Sequence, residues 1–126
     1  MHDNEINKEI LRQINFAIER VISSCERIHT FEDFALTNDG LLRLESACML
    51  ISTIGESVKN LDKRTHGTLL KNYHSIEWKK ITGMRDIIAH HYFDIDTEIV
   101  FDVVKNKLPK LQIVIEKIIN DINSQK

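Results

Sequence analysis

The stretch "LLRLESACMLISTIGESVKNLDK", Leu41 to Lys63, decides the fold. It contains no proline, and its apolar residues do not alternate with polar ones as a half-buried strand requires. Leu41, Leu44, Cys48, Ile51, Val58 and Leu61 recur at helical steps. Leu42, Ala47, Met49, Leu50 and Ile54 spread the apolar surface over much of the circumference. A helix of this kind is expected to be contacted on two sides, by its own core and by a partner subunit.

Upstream, Ile6, Ile10, Ile14, Ala17, Val21, Cys25 and Ile28 recur at steps of three and four, widened by Leu11, Ile18 and Ile22. This predicts a first helix from about Asn4 to Thr30. "TFEDFALTNDG" reads as a connection with a short turn, and Asn38 or Asp39 is the expected N-cap of the second helix. Downstream, "DKRTHGTLLKNYHS" is a polar loop with Gly67 as its breaker. Ser75 is the expected N-cap of a third helix carrying Ile76, Ile81, Met84, Ile87 and Ile88, ending near His91 or Tyr92. Asp96 is expected to cap a fourth helix, with Glu98 in its first turn and Ile99, Val103 and Val104 on its apolar face. Pro109 lacks the N–H and clashes with the preceding turn, which predicts a kink or break near Leu108. A last helix then runs from Pro109 to about Asp121, with Leu111, Val114, Ile115, Ile118 and Ile119 inward. The expected architecture is all-α: an up-and-down bundle of four to five helices in a single domain over residues 1–126.

Composition narrows the function. Net charge is −2, which argues against a general nucleic-acid sponge but is compatible with a local basic patch. The N-terminus "MHDNEINKEI" lacks an apolar signal region, and no apolar run approaches the roughly 18 residues of a membrane span. Cys25 and Cys48 lie on apolar stripes and read as buried small hydrophobes. A cytoplasmic location is expected. No metal or cofactor is expected: Glu26-Arg27-Ile28-His29 is a lone Glu-x-x-His, whereas di-iron bundles need two.

The polar residues of interest lie at the end of the third helix, in "GMRDIIAHHYFDID", Gly83 to Asp96. At about 100° per residue, Arg85 and Tyr92 fall within about 20° of each other, two turns apart. Asp86 and His90 are an i,i+4 pair, so the carboxylate can orient the imidazole and raise its basicity. Arg85 offers a permanent planar cation suited to phosphate, and His90 a general acid or base. Together they suit phosphodiester chemistry; equally, such residues serve to cap a helix end. Gly55 and Glu56 read as helix packing plus a polar contact. "KRTH", Lys63 to His66, is either a solvated helix end or a basic patch that guides a phosphodiester substrate. Tyr73, His74 and Trp78 either flank the site formed by Arg85 and His90 or pack, packing being favoured for Trp78.

"WKKITGMRDIIAHHYFDID", Trp78 to Asp96, resembles the signature region of the HEPN superfamily, and more narrowly the HepT-like toxins. Their mark is Arg, four residues, His, any residue, Tyr; here Arg85, His90 and Tyr92. "TIGESVKNL" at Thr53–Leu61 and "VVKNKLPKL" at Val103–Leu111 agree with the same pattern. The resemblance implies a metal-independent ribonuclease toxin acting as a homodimer, with Arg85 and His90 catalytic and Asp86 and His91 supporting. It also implies a partner of the MntA nucleotidyltransferase type, which neutralises the toxin by adding adenylate to Tyr92. Many relatives carry Asn where this chain has Asp86. His91 stands as the alternative to His90, which alone completes His-x-Tyr; otherwise it is a solvated residue. The alternative function is a non-catalytic helical adaptor that binds a nucleotidyltransferase or nucleotide.

Overall fold

The first helix, α1 (His2–Ser24), buries Leu11, Ile14, Ile18 and Val21 along the predicted stripe. The fold comes from a computed structural model, which describes residues 2–90 and 94–125, residues 2 and 87–90 by their backbone alone. α1 ends earlier than the predicted Thr30. Cys25 and Ile28 stay buried, but they sit in turns closed by Cys25 N–H to the Val21 carbonyl and Ile28 N–H to the Cys25 carbonyl. The helix stops there because the next segment has its own organiser: the Asp33 carboxylate accepts from the backbone N–H of His29 at 2.8 Å and of Thr30 at 3.0 Å. Both bonds hold the Asp33 carboxyl below its usual range.

Asp33 opens α2 (Asp33–Leu36), a single turn that inserts Phe34 completely into the core. α3 (Asn38–Arg64) follows at once. Its cap is Thr37, not Asn38 or Asp39: extended Thr37 places Oγ1 2.9 Å from the Gly40 N–H, which it accepts. Gly40 is obligatory for the sharp α2–α3 turn, because a Cβ there would lie 2.1 Å from the Asp33 carbonyl oxygen. α3 ends before His66 and Gly67, both at positive φ (54° and 72°), so the predicted breaker does break the chain.

A 3₁₀ turn over Leu70–Asn72 buries Leu70 and leads to α4 (Trp78–His90). α4 starts later than a Ser75 cap requires. Its first turn closes on the Glu77 carbonyl, which accepts from Lys80 and Ile81 N–H groups, and Ile76 lies outside the helix, packed on the core rim. The predicted end of this helix at His91 or Tyr92 lies outside the described residues.

α5 (Thr97–Asp102) is capped as expected: Asp96 Oδ1 accepts from Glu98 N–H at 2.9 Å and Ile99 N–H at 3.3 Å. Val103 and Val104 beyond it are buried as expected, but in α5 itself the inward residue is Val100, and Ile99 is exposed. Pro109 perturbs the chain, but the irregularity precedes Leu108. Val103–Lys107 forms a π-helical stretch in which Leu108 N–H reaches the Val103 carbonyl, and α6 (Leu108–Asn123) begins with proline in its first turn. Proline is well placed there because N–H groups of a first turn need no helical acceptor. The π stretch also sends Lys105 Nζ to the Cys25 carbonyl at 2.9 Å, satisfying a carbonyl just past the end of α1.

α1 packs against both α3 and α6, and α3 packs against α2 and α4 on its other flanks. Lys105 meets Cys25 and Gln112 meets Glu19, so α6 runs antiparallel to α1. The molecule is an all-α, up-and-down bundle, with no strand among the described residues. Cys25 and Cys48 are buried thiols, and burial pushes Cys48 up to about 11. Of the described residues, no helix is long and apolar enough to cross a membrane.

Candidate active site

α4 is fixed at its start by two polar contacts. Trp78 Nε1 donates to the Tyr73 carbonyl at 3.0 Å, and the Tyr73 hydroxyl donates to Asp121 of α6 at 2.7 Å. Trp78 and Tyr73 therefore pack and bond, and His74 is exposed. Ile81 and Met84 then bury the inner face of α4.

The contact that places the site is the approach of α4 to α3 at Gly55. A Cβ at Gly55 would stand 3.1 Å from the Ile81 carbonyl oxygen and 3.5 Å from Arg85 Cβ. Absence of a side chain lets the two backbones come this close, and it brings Arg85 beside Glu56. Arg85 Nη1 donates to Glu56 Oε1 across the helix pair. The polar contact expected of Glu56 thus has a partner, which the sequence alone did not identify. A glycine inside a long helix, followed by a carboxylate, was the available signal.

Asp86 takes the other side of the same guanidinium. Its Oδ1 accepts from Arg85 Nη2 at 2.9 Å and from Nε at 3.3 Å. Asp86, then Glu56, stabilise the charged form and push the Arg85 pKa up, so the group is a fixed cation. Its side chain remains 39% exposed and can meet a solvent-borne anion.

The described backbone carries α4 through His90, five residues beyond Arg85. That spacing separates the two positions by about 140° around the helix and about 7.5 Å along it. The His90 side chain, and with it the Asp86–His90 contact expected from the spacing, lies outside the described residues. So do His91 and Tyr92.

Lys63 and Arg64 form the last turn of α3, and Arg64 Nε donates to Asn7 Oδ1 at 3.4 Å. Lys63 stands seven residues after Glu56, and so on nearly the same face of α3. Glu26 and His29 line a groove between the end of α1 and the α2–α3 turn, apart from Arg85. Among the described residues no group of three or more His, Cys, Asp or Glu is arranged to hold a metal ion.

Comparison with known proteins supplies the context for this arginine. The family model for ribonuclease HepT-like proteins matches residues 14–118. A protein named "Putative RNase" from Caldanaerobacter subterraneus subsp. tengcongensis is 31% identical over 112 residues, covering 89% of each chain. A protein named "Probable ribonuclease HepT" from Thermococcus cleftensis is 30% identical over 112 residues, 89% of this chain and 94% of that one. A "Putative RNase" of Methanocaldococcus jannaschii is 40% identical over 75 residues, and there the match spans 59% of the relative's length. No solved structure matches. The family model covers most of the chain, and the Caldanaerobacter relative aligns over nearly nine-tenths of both chains; the chain belongs to the ribonuclease HepT-like family.

Proposed function

We propose that this protein is a metal-independent endoribonuclease toxin using Arg85 and His90. The observation that carries the reading is the held, solvent-accessible guanidinium of Arg85, five residues before a histidine on one helix, in a chain of this family. His90 acts as general base, taking the proton of an RNA 2′-hydroxyl. The freed oxygen attacks the adjacent phosphorus, the bond to the 5′-oxygen breaks, that oxygen takes up the proton His90 returns as general acid, and a cyclic phosphate end remains. Arg85 neutralises the charge that gathers on the phosphoryl oxygens. Asp86 and His91 support the pair. DNA has no 2′-hydroxyl and is not cut by this route.

The wide angle between positions 85 and 90 supports a composite site. One helix turns the two residues toward different sides, so two copies of the motif facing each other supply a complete set. The protein is accordingly a homodimer, with α4 of each subunit at the cleft. Lys63, on the Glu56 face of α3, extends positive charge along the RNA path.

The toxin is silenced by a nucleotidyltransferase partner of the MntA type that adds adenylate to Tyr92. By the seven-residue spacing in the sequence, position 92 pairs with Arg85 two helical turns on, and an added phosphate would compete with substrate for that cation.

The test is cleavage of a cellular RNA pool in EDTA by the wild type, Arg85→Ala and His90→Ala. Each variant is expected to lose about 100-fold or more in rate while keeping its helical circular dichroism. Activity retained in His90→Ala but abolished in His91→Ala would move the base to His91.

A further inference from the structure

Arg85 is gripped by two carboxylates that differ in kind. Glu56 comes from another helix, at the point where Gly55 brings the α3 and α4 backbones together. Core packing fixes its backbone, since Ile54 and Val58 two positions away are fully buried, while its own side chain reaches outward and is 50% exposed. Asp86 is the chain neighbour of Arg85, and its side chain is 60% exposed. The two also take different atoms. Glu56 takes Nη1, while Asp86 covers Nε and Nη2. The Nε–Nη2 edge is one of the forks with which a guanidinium grips a phosphate in two parallel hydrogen bonds.

We propose that Glu56 is a positioning residue that holds the Arg85 guanidinium by Nη1, so that its Nε–Nη2 edge receives the RNA phosphate in exchange for the Asp86 carboxylate. The inference rests on Arg85 as the phosphate-binding group of the proposed ribonuclease. The exchange runs in this direction because Asp86 covers the Nε–Nη2 fork that a phosphate fits, whereas Glu56 takes only Nη1. Glu56, on the neighbouring helix at the Gly55 crossing, keeps Nη1. Three N–H groups of Arg85 are satisfied before RNA arrives, so the side chain is ordered in advance and loses little further freedom on binding. Asp86, by contrast, competes with the incoming phosphate for the same donors and weakens RNA binding.

Wild type, Glu56→Gln, Glu56→Asp and Asp86→Asn separate these roles in the full chain. One readout is the order of the Arg85 Nε–Hε group by nitrogen-15 NMR, assigned with Arg85→Lys. A second is the affinity for a 2′-O-methyl RNA oligomer, which cannot be cleaved. The third is kcat and KM on RNA in EDTA. Glu56→Gln is expected to keep the thermal midpoint, because exposed ion pairs contribute little to stability. With the 2′-O-methyl oligomer bound, and Asp86 displaced, it should leave Arg85 Nε–Hε less ordered than in the wild type; it should also lower kcat about 10- to 100-fold with KM nearly constant, as a misplaced catalytic group does. Glu56→Asp restores the charge one methylene short and recovers part of the rate. Asp86→Asn binds the oligomer several-fold more tightly. An ordered Arg85 and wild-type kcat in Glu56→Gln would overturn the positioning role. Unchanged or weaker oligomer binding by Asp86→Asn would overturn the exchange. Absence of RNA cleavage by the wild type would instead overturn the ribonuclease reading, while the NMR comparison still decides whether Glu56 holds Arg85.

Discussion

Arg85 shows what a single residue owes to its surroundings. Its charge is intrinsic, but its direction comes from Glu56, 29 residues away in sequence. The sequence marks Arg85 by its spacing to His90 and Tyr92, and marks Glu56 only as polar. No pattern along the chain states that the two meet, because that depends on how closely α3 and α4 cross. Tyr92 carries the regulatory prediction. Co-expression with a cognate nucleotidyltransferase and ATP should add adenylate mass at Tyr92 and stop cleavage, whereas Tyr92→Phe should escape silencing and keep ribonuclease activity. An inactivated complex with unmodified Tyr92 in peptide mass spectrometry would point to inhibition by binding alone. Tyr73 carries a prediction of another kind. Burial and its bond to Asp121 push the phenol from the ordinary value of 10 up to about 12. The folded state therefore prefers the neutral phenol, and this contribution is complete below pH 10 and is lost as pH rises toward 12. Relative to Tyr73→Phe, the wild type should lose thermal stability between those two values. A constant difference between the two proteins across that window would contradict the assignment.

At the scale of elements, the long helices were legible from periodicity, and their ends were not. α1 stops at Ser24 although apolar spacing continues to Ile28, because Asp33 claims the His29 and Thr30 N–H groups for a turn. The cap of α3 moved to Thr37 because Gly40 allows a turn tighter than an Asn38 cap would make. Pro109 was legible as a disturbance, but where the chain absorbs it depends on the packing of Val103 and Val104, which favours a π stretch. The glycines give a paired test. Gly40→Ala drives a methyl into the Asp33 carbonyl and should cost about 1–3 kcal/mol. Gly83 has nothing within 4 Å of an added Cβ, so Gly83→Ala should stabilise α4 by about 0.5–1 kcal/mol. Thermal or urea unfolding of the two variants measures both. Equal effects would refute this account of the α2–α3 turn.

The whole molecule leaves large apolar side chains outside its core. Phe16, Met49 and Ile113 are each about two-thirds exposed or more, on α1, α3 and α6. The greasiness of Leu41–Lys63 was legible, and the core accounts for one side of it; Leu41, Leu42 and Met49 remain open to solvent. Light scattering at micromolar concentration should give about twice the chain mass of 14.7 kDa, and a strict monomer would contradict the dimer. The central claim joins this assembly to the chemistry of Arg85 and His90. Its most direct test is to incubate the purified protein with a cellular RNA pool in EDTA and map the new ends. Cuts ending in cyclic phosphate are expected, with none in DNA of matching sequence and loss of cutting in both Arg85→Ala and His90→Ala. Cleavage that needs an added metal ion, proceeds equally on DNA, or survives in both variants would contradict it.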